Sequence, residues 1–234
     1  MKNPLRAIVH WSGRWYIRRI CESNAGGQRF RLDERPIAFR FLFDCLTKTM
    51  PVTVLDVGTG TTALPSILRT CGYVVTAIDN IRDYWPNGFF NQHWHVLDDD
   101  ITRPQIQGRF DLVSCISVLE HINDHEAAVR CMFALLNPGG HAVITFPYNE
   151  GTYVENVYQL PAAGYGKDLP YICQVYSRSN IDQWLHDNDA ELVAQEYWQV
   201  FSGEFWTFGE RLRRPRQTSS QEPHQLTCLL LHKR

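Results

Sequence analysis

The stretch Val54-Leu55-Asp56-Val57-Gly58-Thr59-Gly60-Thr61-Thr62-Ala63 decides the fold. Its apolar, β-branched lead-in from Val52 to Val57 has the composition of a strand buried on both faces, and two glycines stop it. A helix is expected from about Thr62 to Cys71, with Pro65 in the first turn, where a missing N–H does no harm, and Gly72 closing it. A second strand, Tyr73 to Ile78, follows with Asp79 at its carboxyl end. Further strands are expected at His93–Leu97, running into Asp98-Asp99-Asp100, at Phe110–Ile116 and at Gly140–Phe146. Between the last two, Asp124 to Leu136 has helical spacing and ends at Asn137-Pro138-Gly139-Gly140. Strands alternating with helices imply right-handed βαβ units and a doubly wound α/β sheet.

Outward from this centre the rhythm changes. Pro36 to Lys48 reads as a helix with Phe39, Phe43 and Leu46 along one face, and residues 1–50 are expected to form a helical N-terminal cap on a domain spanning 51–234. Residues 149–176, rich in Tyr, Gly and Pro, suit an irregular insertion or lid. Ser177 to Asp187 is an expected helix with Ser179 as its cap and Asp182 three residues on. Leu192–Phe201 and Leu226–His232 read as two more strands, joined by the polar insertion 202–225.

The 234 residues are 44% hydrophobic and 12% aromatic with a net charge of -2, which excludes disorder as the dominant state. No apolar run reaches the ~18 residues of a membrane span. The first twenty residues lack the apolar core of a signal peptide, so the seven cysteines are expected to be reduced thiols in the cytoplasm. None forms a C-x-x-C pair. Charge is uneven: residues 1–50 carry a net +6, 51–150 a net -6 and the remainder -2.

Glycines at a strand-to-helix turn let a ligand approach the backbone where a Cβ would block it. Asp79 follows Gly60 by 19 residues, at the end of the next strand, where a carboxylate can accept hydrogen bonds from ribose hydroxyls. Two adenosine ligands compete for such a site. A dinucleotide would set its pyrophosphate on the helix N-terminus, whereas S-adenosylmethionine brings a cationic amine and sulfonium. Asp56 would repel the first and attract the second, which favours the methyl donor.

Residues 52–148 resemble the class I S-adenosylmethionine-dependent methyltransferases. Six pieces carry the match in order: Val54–Gly60, Val75–Asp79, Asp99–Thr102, Phe110–Val113, Ser117-Val-Leu-Glu-His-Ile122 and Leu136–Ile144. The Leu-Glu-His-Ile form resembles small-molecule enzymes of the ubiquinone-biosynthesis type. The resemblance implies a Rossmann-like seven-stranded sheet with its last strand antiparallel, and S-adenosyl-L-methionine as cofactor. Carried over by position, it implies that Asp56, Gly58, Thr59 and Gly60 hold the methionine part, and that Asp79 and Asn80 lie at the ribose. Asp100, or else Asp99, would bond the adenine amino group while Ile101 packs on the ring, and Ser117 and Glu120 would line the cofactor. Thr62 stands where the family has a third small residue, usually glycine.

Methyl transfer needs alignment, exclusion of water and removal of a proton where the nucleophile carries one. His121 is the candidate base, ahead of Glu120, Tyr148 and His10. The pairs His93/His95 and His121/His125 have metal-ligand spacing but no evident further ligands, so no metal is expected. Trp11, Trp15, Tyr16, Tyr84, Trp85, Tyr148, Tyr153, Tyr158 and Tyr165 are candidates to line the acceptor pocket. The expected partner is a small-molecule acceptor taking the methyl on O or N. The N-terminal arginines suggest that it is anionic. No broad basic footprint and no nucleic-acid methylation motif favours a nucleic acid. A non-catalytic cofactor-binding module and a dehydrogenase are the remaining readings.

Overall fold

The computed structural model describes residues 4–27, 33–60, 62–80 and 95–234. They fall into two compact units, Met1–Asp33 and Glu34–Arg234. The described residues of the first form one helix, α1 (Pro4–Gly27). The second begins with α2 (Arg35–Thr49), where Pro36 occupies the first turn and Met50 ends the helix in the left-handed region, its N–H on the Leu46 carbonyl.

Then follow β1 (Thr53–Val57), α3 (Leu64–Thr70), β2 (Val74–Asp79), β3 (Leu97–Asp98), β4 (Phe110–Ile116), α4 (His125–Ala134) and β5 (Leu136–Pro147). The chain closes with α5 (Arg178–Asp187), β6 (Ala190–Phe201), β7 (Arg211–Thr218) and β8 (Leu226–Lys233). All eight strands form one sheet in the order β3-β2-β1-β4-β5-β8-β6-β7. β1 to β5 pair in parallel, and β8 enters antiparallel between β5 and β6. The expected doubly wound sheet is therefore present, with one strand more than expected. The extra strand is β7, an antiparallel edge partner of β6 inside the polar segment 202–225. Its run Arg211-Leu-Arg-Arg-Pro-Arg216 hides a strand behind charge, and arginines and a proline suit an edge that must not pair further.

Alternation along the strands feeds two cores. Leu55, Val57, Val113, Cys115, Ile144 and Leu229 face α4 and α5 through Ala128, Met132, Phe133 and Trp184. Val54, Leu112, Val143, Cys228 and Leu230 face α2 and α3 through Phe41, Leu42, Leu46 and Leu68. The inner face of α2 is thus Ile37, Ala38, Phe41, Leu42, Cys45 and Leu46. Phe39 and Phe43, expected to share that face with Leu46, lie at its margin and stay half-buried.

Three other boundaries shift for local reasons. β3 contains only Leu97 and Asp98, paired with Ile78 and Asp79; His93 lies outside the described residues. The turn Asn137–Gly140 lies inside β5, whose pairing with β4 slips register between Phe110 and Leu112. The cap of α5 is Ser177 rather than Ser179: its N–H and its hydroxyl both donate to Asn180 Oδ1, at 2.9 and 2.8 Å.

Candidate functional site

In this strand order the direction of winding reverses between β1 and β4, and a crevice opens at their carboxyl ends. A cavity of about 480 Å³ lies there, a size typical of small-molecule sites. Its wall includes Asp56, Gly58, Thr59, Gly60, Asp79, Asn80, Asp99, Asp100, Ile101, Ser117 and His121, so eleven of the twelve residues expected at the site line one cavity. Glu120 does not.

The glycine turn owes its shape to backbone conformation. Gly58 and Gly60 have φ of 72° and 57°, in the region that favours glycine. A Cβ on Gly58 would overlap the Val118 methyls, so the turn and the end of β4 are fitted against each other. The Gly58 N–H reaches the Ile78 carbonyl at 2.9 Å, and the Gly60 N–H reaches Asp79 Oδ2 at 2.6 Å. The turn is therefore tied to the end of β2 by both backbone and carboxylate. Thr62 takes over where a third glycine was missing: its hydroxyl donates to the Thr59 carbonyl at 2.9 Å and lines the cavity ahead of α3.

Asp56 is 2% exposed, and both its oxygens accept hydroxyl bonds at 2.7 Å, from Thr59 and Ser114. Burial pushes its carboxyl up to about 6, against the two hydrogen bonds; the nearby Asp79 charge adds to the rise. Asp56 thus braces the turn from beneath. The two acids after β3 divide their work. Asp99 accepts the backbone N–H groups of Asp100, Gln105 and Ile106 at 2.9–3.0 Å, which folds the loop 100–106 around it. Asp100 Oδ1 holds the N–H and hydroxyl of Thr102 at 2.9 and 2.8 Å, and its Oδ2 lies 3.4 Å from Arg103.

Ser117, left-handed at φ 53°, presents a buried hydroxyl with no partner among the described residues. After it the chain makes a 3₁₀ turn, Leu119–His121. That turn sends Glu120 inward and His121 to the cavity, which is why Glu120 departs from its expected place. Glu120 is 4% exposed, its Oε2 lacks a partner among the described residues, and burial pushes its carboxyl up to about 8. His121 Nδ1 lies 2.7 Å from the Ile172 carbonyl, so Nδ1 carries the proton and the neutral ring keeps its basic lone pair on Nε2. Burial lowers its pKa from the ordinary histidine value.

Of the aromatic residues expected at the acceptor pocket, four in the second unit lie away from the cavity. Tyr148 and Tyr158 are buried core residues, and neither they nor Tyr153 and Tyr165 line the cavity. The Tyr148 hydroxyl donates to Glu150 at 2.9 Å, which removes it as a base. Tyr84 and Trp85 lie outside the described residues. Trp11, Trp15, Tyr16 and His10 are exposed on α1. The cavity wall has Tyr171, whose ring centroid lies 4.6 Å from that of His121, together with Arg35 and Phe39. Arg35 and Phe39 are four apart at the start of α2, a spacing that puts them on one helix face and was readable in the sequence. Tyr171 gave no signal. His121 and His125 also part company, His125 packing against Tyr176 and Trp184. Among the described residues no group of three His, Cys, Asp or Glu side chains could hold a metal ion.

Comparison with known proteins assigns the family. A family profile described as a methyltransferase domain matches residues 24–195. The chain belongs to that family. It is 27% identical over 177 residues to a ubiquinone biosynthesis O-methyltransferase of Alkalilimnicola ehrlichii, a match covering 68% of this chain and 69% of that relative. It is 31% identical over 152 residues to the protein of the same name from Coxiella burnetii, covering 60% and 64%. The chain thus spans about two thirds of the length of these relatives. Two solved structures share the fold. One is the N-methyltransferase NodS of Bradyrhizobium japonicum with S-adenosylhomocysteine, at TM-score 0.55 and 16% identity over 93% of this chain and 97% of that one. The other is the 1,6-didemethyltoxoflavin-N1-methyltransferase of Burkholderia thailandensis, at 0.58 and 16% over 96% and 89%. The chain is therefore a methyltransferase that uses S-adenosylmethionine. Its cavity fits that cofactor: a turn in which a Cβ is excluded, an acid at the end of β2, and an orphaned buried hydroxyl at Ser117.

Proposed function

We propose that the enzyme methylates an oxygen of a small, anionic or phenolic acceptor, with His121 as the base. Bound in the cavity, the cofactor supplies an electrophilic methyl on a sulfonium. Asp79 and Asn80 would hold its ribose hydroxyls, Gly58, Thr59 and Gly60 its methionine part, and Ser117 a polar group beside it. Asp100 would take the adenine amino group in preference to Asp99, whose oxygens already serve the loop, while Ile101 packs on the ring. Asp56 would act at one remove, by bracing the turn.

The reading of His121 rests on one observation: the ring lines the cavity with Nδ1 on the Ile172 carbonyl, which directs its basicity to Nε2. A hydroxyl presented there would lose its proton to Nε2 as its oxygen takes the methyl. The same carbonyl stabilises the imidazolium that results. Transfer to oxygen is supported by relatives named O-methyltransferases. An anionic acceptor is supported by the Arg35 guanidinium on the cavity wall, beside Phe39 and Tyr171. A reducing cytoplasmic setting is supported by the six cysteines that are free among the described residues, at 45, 71, 115, 131, 173 and 228. Alkylation with and without prior reduction should label the same number of thiols.

Turnover of catechols and phenolic carboxylates with labelled methyl donor tests the reading. His121→Ala should lose about 10²–10³ in kcat while S-adenosylhomocysteine binds as before. Because the base works as neutral imidazole and burial lowers its pKa, wild-type activity should persist to pH values below the ordinary histidine range and then fall. Near-normal turnover by the variant would dismiss His121 as base.

A further inference from the structure

The helix α1 carries a second message that the methyl-transfer site does not use. Its 24 residues have a length of about 36 Å. Arg6, His10, Arg14 and Arg18 recur every four residues, so they run along one face. At about 100° per residue, Leu5, Ile8, Val9, Trp15 and Tyr16 fall on the opposite face, within an arc of about 120°. These apolar side chains are exposed: Ile8 62%, Val9 67%, Trp15 52% and Tyr16 60%, with Trp11 at the margin 65%. From Pro4 to Cys21 there is no acid, against four arginines. Arg19 is the one charge inside the apolar arc, and its guanidinium lies over the Trp15 ring at 5.7 Å. A long arginine stem can carry its head from there to a polar boundary.

We propose that α1 is an interfacial helix that docks the enzyme on an anionic phospholipid surface. The apolar arc enters the boundary between headgroups and acyl chains, with Trp11, Trp15 and Tyr16 at the depth where aromatic rings with a polar edge are stable. The basic row meets the phosphates. The helix lies on the membrane and does not cross it, because no helix among the described residues is apolar enough to span. A nucleic acid would satisfy the arginines but leave five large apolar side chains in water, so the lipid surface accounts for both faces and an RNA for one. Docking would bring the catalytic unit to acceptors dissolved in, or anchored to, the bilayer.

Sedimentation of the full chain with sonicated vesicles tests this. Vesicles of phosphatidylcholine with about one third phosphatidylglycerol should bind the protein at least tenfold more tightly than phosphatidylcholine alone, with affinity falling as salt rises. Arg14→Glu/Arg18→Glu and Trp11→Ser/Trp15→Ser should each weaken binding at least tenfold while S-adenosylhomocysteine still binds. No association with anionic vesicles would overturn the proposal, as would association that neither variant weakens. So would a wild-type dimer that ignores vesicles and that Trp11→Ser/Trp15→Ser makes monomeric, or arginine-dependent binding of RNA without vesicle binding.

Discussion

The cavity has two walls of different construction. On the side proposed for the cofactor, the glycine turn and β2 belong to one βαβ unit. Gly58 meets Ile78, Gly60 meets Asp79, Thr59 meets Asp56, and one bond from the adjoining strand, Ser114 to Asp56, completes the set. On the side proposed for the acceptor, the turn at 119–122 is stitched to a segment some fifty residues later. Gln174 N–H bonds the Glu120 carbonyl, Gln174 Nε2 the Ile122 carbonyl, the Tyr176 hydroxyl the Leu119 carbonyl, and His121 the carbonyl of Ile172. The first wall is assembled by local folding of the sheet. The second forms only when 149–176 has packed, so changes there should alter acceptor handling and leave cofactor affinity intact.

The harshest way to break this contrast is Gly58→Ala. A positive φ and overlap with Val118 should cost about 1–3 kcal/mol and weaken S-adenosylhomocysteine binding by about a hundredfold or more, read by calorimetry and thermal melting. Normal affinity would show that the turn can open without consequence.

The next effect concerns the buried Glu120 beneath the acceptor wall. Its folded pKa is raised to about 8, so up to that pH the unfolded chain releases a proton that the folded chain keeps. Stability should fall as pH rises from 7 to 8, by at most about 1.4 kcal/mol per unit. The window starts at about 7 because Asp56, raised to about 6, and His121, His125 and His141, lowered by burial, exchange their protons below it. Chemical denaturation of Glu120→Gln between pH 7 and 8 should show the slope removed; an unchanged slope would assign it elsewhere.

Smaller again is Tyr176→Phe, which deletes the bond to the Leu119 carbonyl and should cost about 1–2 kcal/mol. Acceptor KM should rise while cofactor affinity stays within twofold, the split that separates the two walls. Smallest is Ser177→Ala, which removes the α5 cap hydroxyl. A loss of about 1 kcal/mol with unchanged kinetics is expected, since α5 lies away from the cavity.

The same contrast explains what could be read in the sequence. The βαβ order, Asp79 and the Asp99/Asp100 pair were legible because each sits at a fixed place after a strand, and strand ends in a parallel sheet converge on one edge. Glu120 was misplaced because one residue in a 3₁₀ turn decides between cavity and core, and no periodicity marks that choice. Tyr171 was missed because its place depends on the packing of an irregular segment. β7 was missed because its pattern is charge, not alternation. Tyr148 and Tyr158 were read as pocket residues, although buried aromatics with hydroxyl partners look alike in sequence whether they line a cavity or fill a core.

The central claim is that the cavity at the ends of β1, β2 and β4 grips the cofactor through the acid closing β2. Asp79→Asn tests it most directly, because the amide oxygen can still accept the Gly60 N–H and so keep the turn while the charge is lost. Titration of S-adenosylhomocysteine should give at least tenfold weaker affinity in the variant, with an unchanged melting curve in the absence of ligand. Equal affinity in the two proteins would contradict the account.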